Sequence, residues 1–183
     1  EAIVICNTFS GQRGLTGNIP VIHNMSKLKT VQSIFYDCEN LTGAIPNDFL
    51  EGCNNIEIVH GLFSGCSNIT GSIPQNFLKD CTKATTVRQL FTGCAGLNGE
   101  IPNTIFANCK EITDFRMTFA ECTGLTGNIP GNLFTNCPKA ENFLGVFADC
   151  AGLTGNIPEN LFANCKETTD FTLIFSGCTG LTG

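Results

Sequence analysis

The feature that most constrains this chain is a repeat of 28 residues. Cys38, Cys66, Cys94, Cys122, Cys150 and Cys178 recur at that interval, and Cys53, Cys81, Cys109, Cys137 and Cys165 form a second column of the same period. Pro46, Pro74, Pro102, Pro130 and Pro158 form a third. Phe35, Phe63, Phe91, Phe119, Phe147 and Phe175 each stand three residues before a cysteine of the first column. The first unit, Leu15 to Asn40, is two residues shorter, yet Phe9 and Pro20 keep step with Phe35 and Pro46. One such unit cannot bury its apolar face alone, so the units must stack. Stacking in register sets equivalent side chains ~4.8 Å apart. Columns of phenylalanine, leucine and cysteine are therefore expected to fill the core, which gives 15 phenylalanines a place to be buried.

Each unit reads F-x-x-C-x-x-L-T-G-x-I-P, then two adjacent apolar residues and the second cysteine. The stretch before the phenylalanine, such as Thr86 to Phe91, carries β-branched and aromatic residues and predicts a short strand. The Leu-Thr-Gly element predicts a bend at glycine. The residue before proline is pushed out of the α region, so x-Ile-Pro reads as extended. Residues 158–165, Pro-Glu-Asn-Leu-Phe-Ala-Asn-Cys, suit one helical turn started by proline. The expected fold is an α/β solenoid, a right-handed leucine-rich-repeat-like coil. A parallel β-sheet would form one face, with short helical turns or extended segments on the other, and roughly one strand and one short helix per coil. It forms one domain over 1–183, about 6.5 units of the 28-residue period, and is expected to be part of a longer array.

The element Leu-Thr-Gly-Asn-Ile-Pro, at 15–20, 125–130 and 153–158, resembles the L-x-G-x-I-P element of plant-type leucine-rich repeats. A closer resemblance is to bacterial surface repeats of the BspA type and to repeats of Mycoplasma surface lipoproteins. Leu28, Val31, Ile34, Phe35, Cys38, Leu41 and Thr42 match their pattern, as do Ile56, Val59, Leu62, Phe63, Cys66, Ile69 and Thr70. The chain departs from it by adding the Ile-Pro segment and the second cysteine. The resemblance implies an extracellular or cell-surface location and a role in adhesion or recognition, but no chemistry.

The residues themselves carry no sign of catalysis. Only His23 and His60 are of a residue type that could serve as a neutral-pH base, and no phosphate-binding loop, H-E-x-x-H or G-x-S-x-G occurs. No enzyme activity, cofactor or metal is expected. The cysteines alternate at 15 and 13 residues with no C-x-x-C pair, unlike zinc ligands. Buried reduced columns and a disulfide framework both remain open. Cys6 lies outside both columns, as an exposed thiol or a buried terminal one. A formal charge of −6 argues against nucleic acid or an anionic membrane as partner, and no apolar run is long enough to span a bilayer. Sequons occur at Asn24, Asn40 and Asn68, relevant only to a secreted eukaryotic protein.

Repeat proteins commonly recognise partners through the strand face. Two columns vary from coil to coil while the core columns stay constant. One contains Gln32, His60, Arg88 and Arg116, and the other Thr86, Asp114, Asn142 and Asp170. They form the candidate binding face for a protein or glycan, with Arg88 and Arg116 expected as a small basic patch. The alternative is a structural subunit that self-associates end to end into a filament or surface layer. Its motive is that neither end of the sequence shows the polar cap repeat proteins use for solubility.

Overall fold

A computed structural model describes all of residues 1–183, and in it each unit lies parallel on the one before. One ladder begins with β1 (Ile3–Cys6), β2 (Leu28–Gln32) and β3 (Ile58–His60), in the order β1-β2-β3. Ile5 pairs with Val31, and Val31 with Val59. The register shifts by one residue between Ile3 and Val4; the two residues missing from the first unit fall after Pro20, since the Cys53 thiol points at the Ile22 carbonyl 31 residues earlier, as Cys109 does at Leu78. Beyond β3 the ladder narrows to single parallel bridges, Ile58 to Thr86, Thr86 to Asp114, Asp114 to Asn142 and Asn142 to Asp170. A second ladder follows the Leu-Thr-Gly element, from Gly17 with Leu41 to Gly127 with Leu153. It ends in β4 (Gly155–Asn156) paired with β5 (Leu181–Thr182).

Two local devices keep the first ladder short. Ser33, Gly61, Gln89, Met117, Gly145 and Leu173 all adopt φ between 49° and 58°, so the backbone turns left-handed just past the strand in every coil. Four of these six are not glycine, and the conformation is costly for them. A side chain also takes the N–H two residues on. Thr86 Oγ1 accepts from Arg88 at 3.1 Å and Asp114 Oδ1 from Arg116 at 3.0 Å. Asn142 Oδ1 accepts from Leu144 and Asp170 Oδ1 from Thr172, both at 2.9 Å. These local bonds compete with strand pairing. In those four coils the ladder is one bridge wide, whereas Ile58, which has no acceptor, sits in a strand of three.

The expected short helices are absent; those segments are chains of separate turns. Over 74–81, Phe77 donates to the Pro74 carbonyl, Lys79 to Asn76 and Cys81 to Leu78. The bonds fall on alternate residues, and a helix needs them on consecutive ones. The carbonyls in between are used by the next coil. Thr104 Oγ1 donates to the Gln75 carbonyl at 2.8 Å, and Asn108 Nδ2 to that of Lys79 at 3.0 Å. Stacking satisfies the backbone better than a one-turn helix, most of whose groups would lack partners.

Between the two ladders lies one continuous core. Phe35, Phe63, Phe91, Phe119 and Phe147 stack coil on coil, with centroids 5.6 to 6.1 Å apart and rings within 14° of parallel. Beside them the packing changes midway. In the early coils Phe49 and Phe77 tilt against Phe35, Phe63 and Phe91; in the later coils the ring moves one residue along the repeat, and Phe106 and Phe134 meet Phe115 and Phe143 edge-on at about 5 Å. Thr118 takes the position of Leu62 and Leu90 there. Its hydroxyl is satisfied by the carbonyls of Phe115 at 2.6 Å and Val87 at 3.2 Å.

All twelve cysteines carry free thiols, and eleven are buried. Sγ of Cys66, Cys94, Cys122, Cys150 and Cys178 points at the carbonyl of the phenylalanine 31 residues earlier, at 2.9 to 3.0 Å. Burial pushes the Cys66, Cys109 and Cys150 thiols up to about 12 and that of Cys165 to about 11. Cys6 is exposed and pairs with Gln32, which places it at the head of an outward row.

Candidate recognition face

Strand alternation decides which residues face outward. Val31, Val59, Val87, Phe115 and Phe143 are buried, so their neighbours on either side face away from the core. Gln32, His60, Arg88 and Arg116 form one outward row, and Thr86, Asp114, Asn142 and Asp170 the other; all eight are half-buried. The structure therefore brings every sequence-derived candidate onto one face. It also separates them by role.

Thr86, Asp114, Asn142 and Asp170 hold the backbone in each coil, through the bonds to Arg88, Arg116, Leu144 and Thr172. Asp114 also chelates the Arg116 guanidinium, with Nε to Oδ1 at 2.9 Å and Nη2 to Oδ2 at 2.5 Å. Burial works against ionising Asp114, but the hydrogen bonds and charge of Arg116, with the charge of Arg88, hold its carboxyl below the usual range. The Asp170 carboxyl is also lowered, first by hydrogen bonds from Thr172 and then by Asn142 and the charge of Arg116. Asn142 Nδ2 donates to Asp170 Oδ2 at 3.3 Å.

The expected two-arginine patch needs correction. Arg116 is neutralised by Asp114, because the carboxylate two residues earlier lies on the same face and within reach. Arg88 forms no ion pair, and its Nε is buried without a hydrogen-bond partner. His60 Nε2 lies 3.2 Å from Gln89 Oε1. Gln89, which the sequence did not single out, reaches this face because its left-handed backbone turns it outward. The sequons carry another role as well. Asn40 Nδ2 donates to the Arg13 carbonyl and Asn68 Nδ2 to that of Glu39, both from the preceding coil.

Residues 57–182 match the family described as Mycoplasma protein of unknown function, DUF285. Among solved structures, a plant peptide hormone receptor, RGFR1, in complex with RGF2, is similar at a TM-score of 0.57 and 27% sequence identity. The similarity covers 87% of this chain but 22% of the receptor chain, so the chain spans about a fifth of that protein. No curated protein matches. The family match and the structural likeness, with the parallel pairing of successive units, fit a leucine-rich-repeat-like protein. No helix is long and apolar enough to cross a membrane.

Proposed function

The chain belongs to the DUF285 family of Mycoplasma proteins of unknown function, and on that premise we propose that it is a non-catalytic recognition module displayed at the cell surface. Its coils wind as a right-handed solenoid, and its strand face binds a segment of a protein partner. The observation that carries this reading is Arg88. A half-buried guanidinium whose Nε meets neither a protein acceptor nor a carboxylate is a donor in need of a partner. The Nε itself is shielded from solvent, so a ligand carboxylate meets the accessible part of this guanidinium, which no ion pair neutralises, and a charge-assisted bond in a partly dry site is among the stronger polar contacts. His60 and Gln89 flank it on one side and the Asp114–Arg116 pair on the other, on a backbone held rigid by bonds from coil to coil. The plant receptor's complex with a peptide hormone supports the class of ligand.

The test is selection from a displayed peptide library containing acidic and neutral sequences. The wild-type protein is expected to enrich peptides bearing a carboxylate, and Arg88→Ala to lose that enrichment while keeping its thermal transition. Equal enrichment by both proteins would refute the proposal.

A further inference from the structure

A groove lies away from the strand face, along the Ile-Pro segments. It measures about 650 Å³ and is lined by Ser72, Gln75, Glu100, Asn103 and Asn128 over a floor that includes Ile73 and Ile101. A second hollow of about 380 Å³ shares Ser72, Ile73 and Gln75 and extends it to Asn47. The trough thus crosses the Ile-Pro segments of four successive coils.

Its amide side chains are free to meet a ligand, unlike those that tie one coil to the next. Asn55, Asn108, Asn136 and Asn164 spend their amides on carbonyls of the preceding coil. The side chains of Asn47, Gln75, Asn103 and Asn128 make no hydrogen bond within the protein, and Glu100 forms no ion pair. Asn47, Gln75 and Asn103 occupy one repeat position in consecutive coils, and that position is Val21 before them and Gly131 after them. The amide row therefore begins and ends with the groove.

We propose that this groove is a binding site for a neutral oligosaccharide, separate from the strand face and independent of its function. Three properties select that chemistry. The lining has no lysine, arginine or histidine and contains one carboxylate, so an anionic ligand would go unpaired. Ile73 and Ile101 are sealed into the floor and the other apolar surface is that of the Pro102 and Pro130 rings, so a peptide finds no deep pocket for an anchoring side chain. Finally, carboxamides repeated once per coil, ~4.8 Å apart, present the same donor and acceptor pair again and again. A polymer of identical hydroxylated units matches such a row; a peptide of varied side chains does not.

The experiment is titration calorimetry of the whole chain with cellohexaose, chitohexaose and mannohexaose, with a sulfated heparin hexasaccharide as the anionic probe. At least one neutral hexamer is expected to bind and the sulfated one not to. The double variant Gln75→Ala/Asn103→Ala is expected to weaken binding at least about tenfold, from two lost hydrogen bonds, with an unchanged thermal transition. His60→Ala on the strand face is expected to leave the affinity as it was. Failure of all three neutral hexamers overturns the proposal. So does binding that survives the double variant, or binding that is lost in His60→Ala, which would place the sugar on the strand face.

Discussion

Mild alkali should unfold this protein, because its cysteines are held as buried thiols. The folded values of Cys66, Cys109 and Cys150 are about 12 and that of Cys165 about 11. Burial raises Cys81, Cys94, Cys122 and Cys137 as well. In the unfolded chain each returns towards 9.0. The folded value is the higher one, so the stabilisation is complete below pH 9 and drains away as the pH rises towards the folded values. Each thiol costs the folded state a few tenths of a kcal/mol near pH 9 and nearly 1 kcal/mol near pH 9.5. Eight together cost about 3 and then about 7 kcal/mol, against a total stability of about 5–15 kcal/mol for a domain. Beyond that the slope approaches about 11 kcal/mol per pH unit. Urea unfolding followed by far-ultraviolet circular dichroism, at several values from about pH 7 to about pH 9.5 under argon with a phosphine reductant, measures this directly. Replacing Cys94 and Cys122 with alanine should cut the slope by about a quarter, whatever it does to stability at neutral pH. A stability that stays level to within ~1 kcal/mol across that range would refute the reasoning.

Three further outcomes follow from the same packing. Iodoacetamide near neutral pH should add one group to the native protein, at Cys6, and reach the eleven buried thiols only on unfolding, as read by intact mass. Phe91→Ala removes a fully buried ring that meets Phe63, Phe77 and Phe119 and should cost about 4 kcal/mol in urea denaturation; Phe175→Ala, with Phe147 as its ring partner, should cost about half as much. Equal costs would contradict stability built from neighbouring coils. Leu173→Gly should raise stability by about 1 kcal/mol, since Leu173 is exposed and held at φ 56°; a loss would show that its side chain packs.

How much of this was legible beforehand differs from element to element. The period, the phenylalanine and cysteine columns and the parallel stacking could all be read from spacing, because a stacked repeat places like on like. The outward rows were legible for the same reason, since alternation around Val31, Val59 and Val87 needs only a strand. The left-handed turn after each strand was not. Its column contains Ser33, Gln89, Met117 and Leu173, and only Asn7, Gly61 and Gly145 carry the local signal for positive φ.

What the sequence determined by itself is the repeat: its length, its core columns and the direction in which coils add, all set by which residues recur. Tertiary structure decided where each backbone group finds its partner. A proline-led segment that would read as a helical turn gives its carbonyls to the next coil instead, as Gln75 and Lys79 do. It also decided that Asp114 neutralises Arg116 while Arg88 is left unpaired. Both outcomes depend on competition between partners one coil apart, and a linear pattern does not say which partner lies nearer.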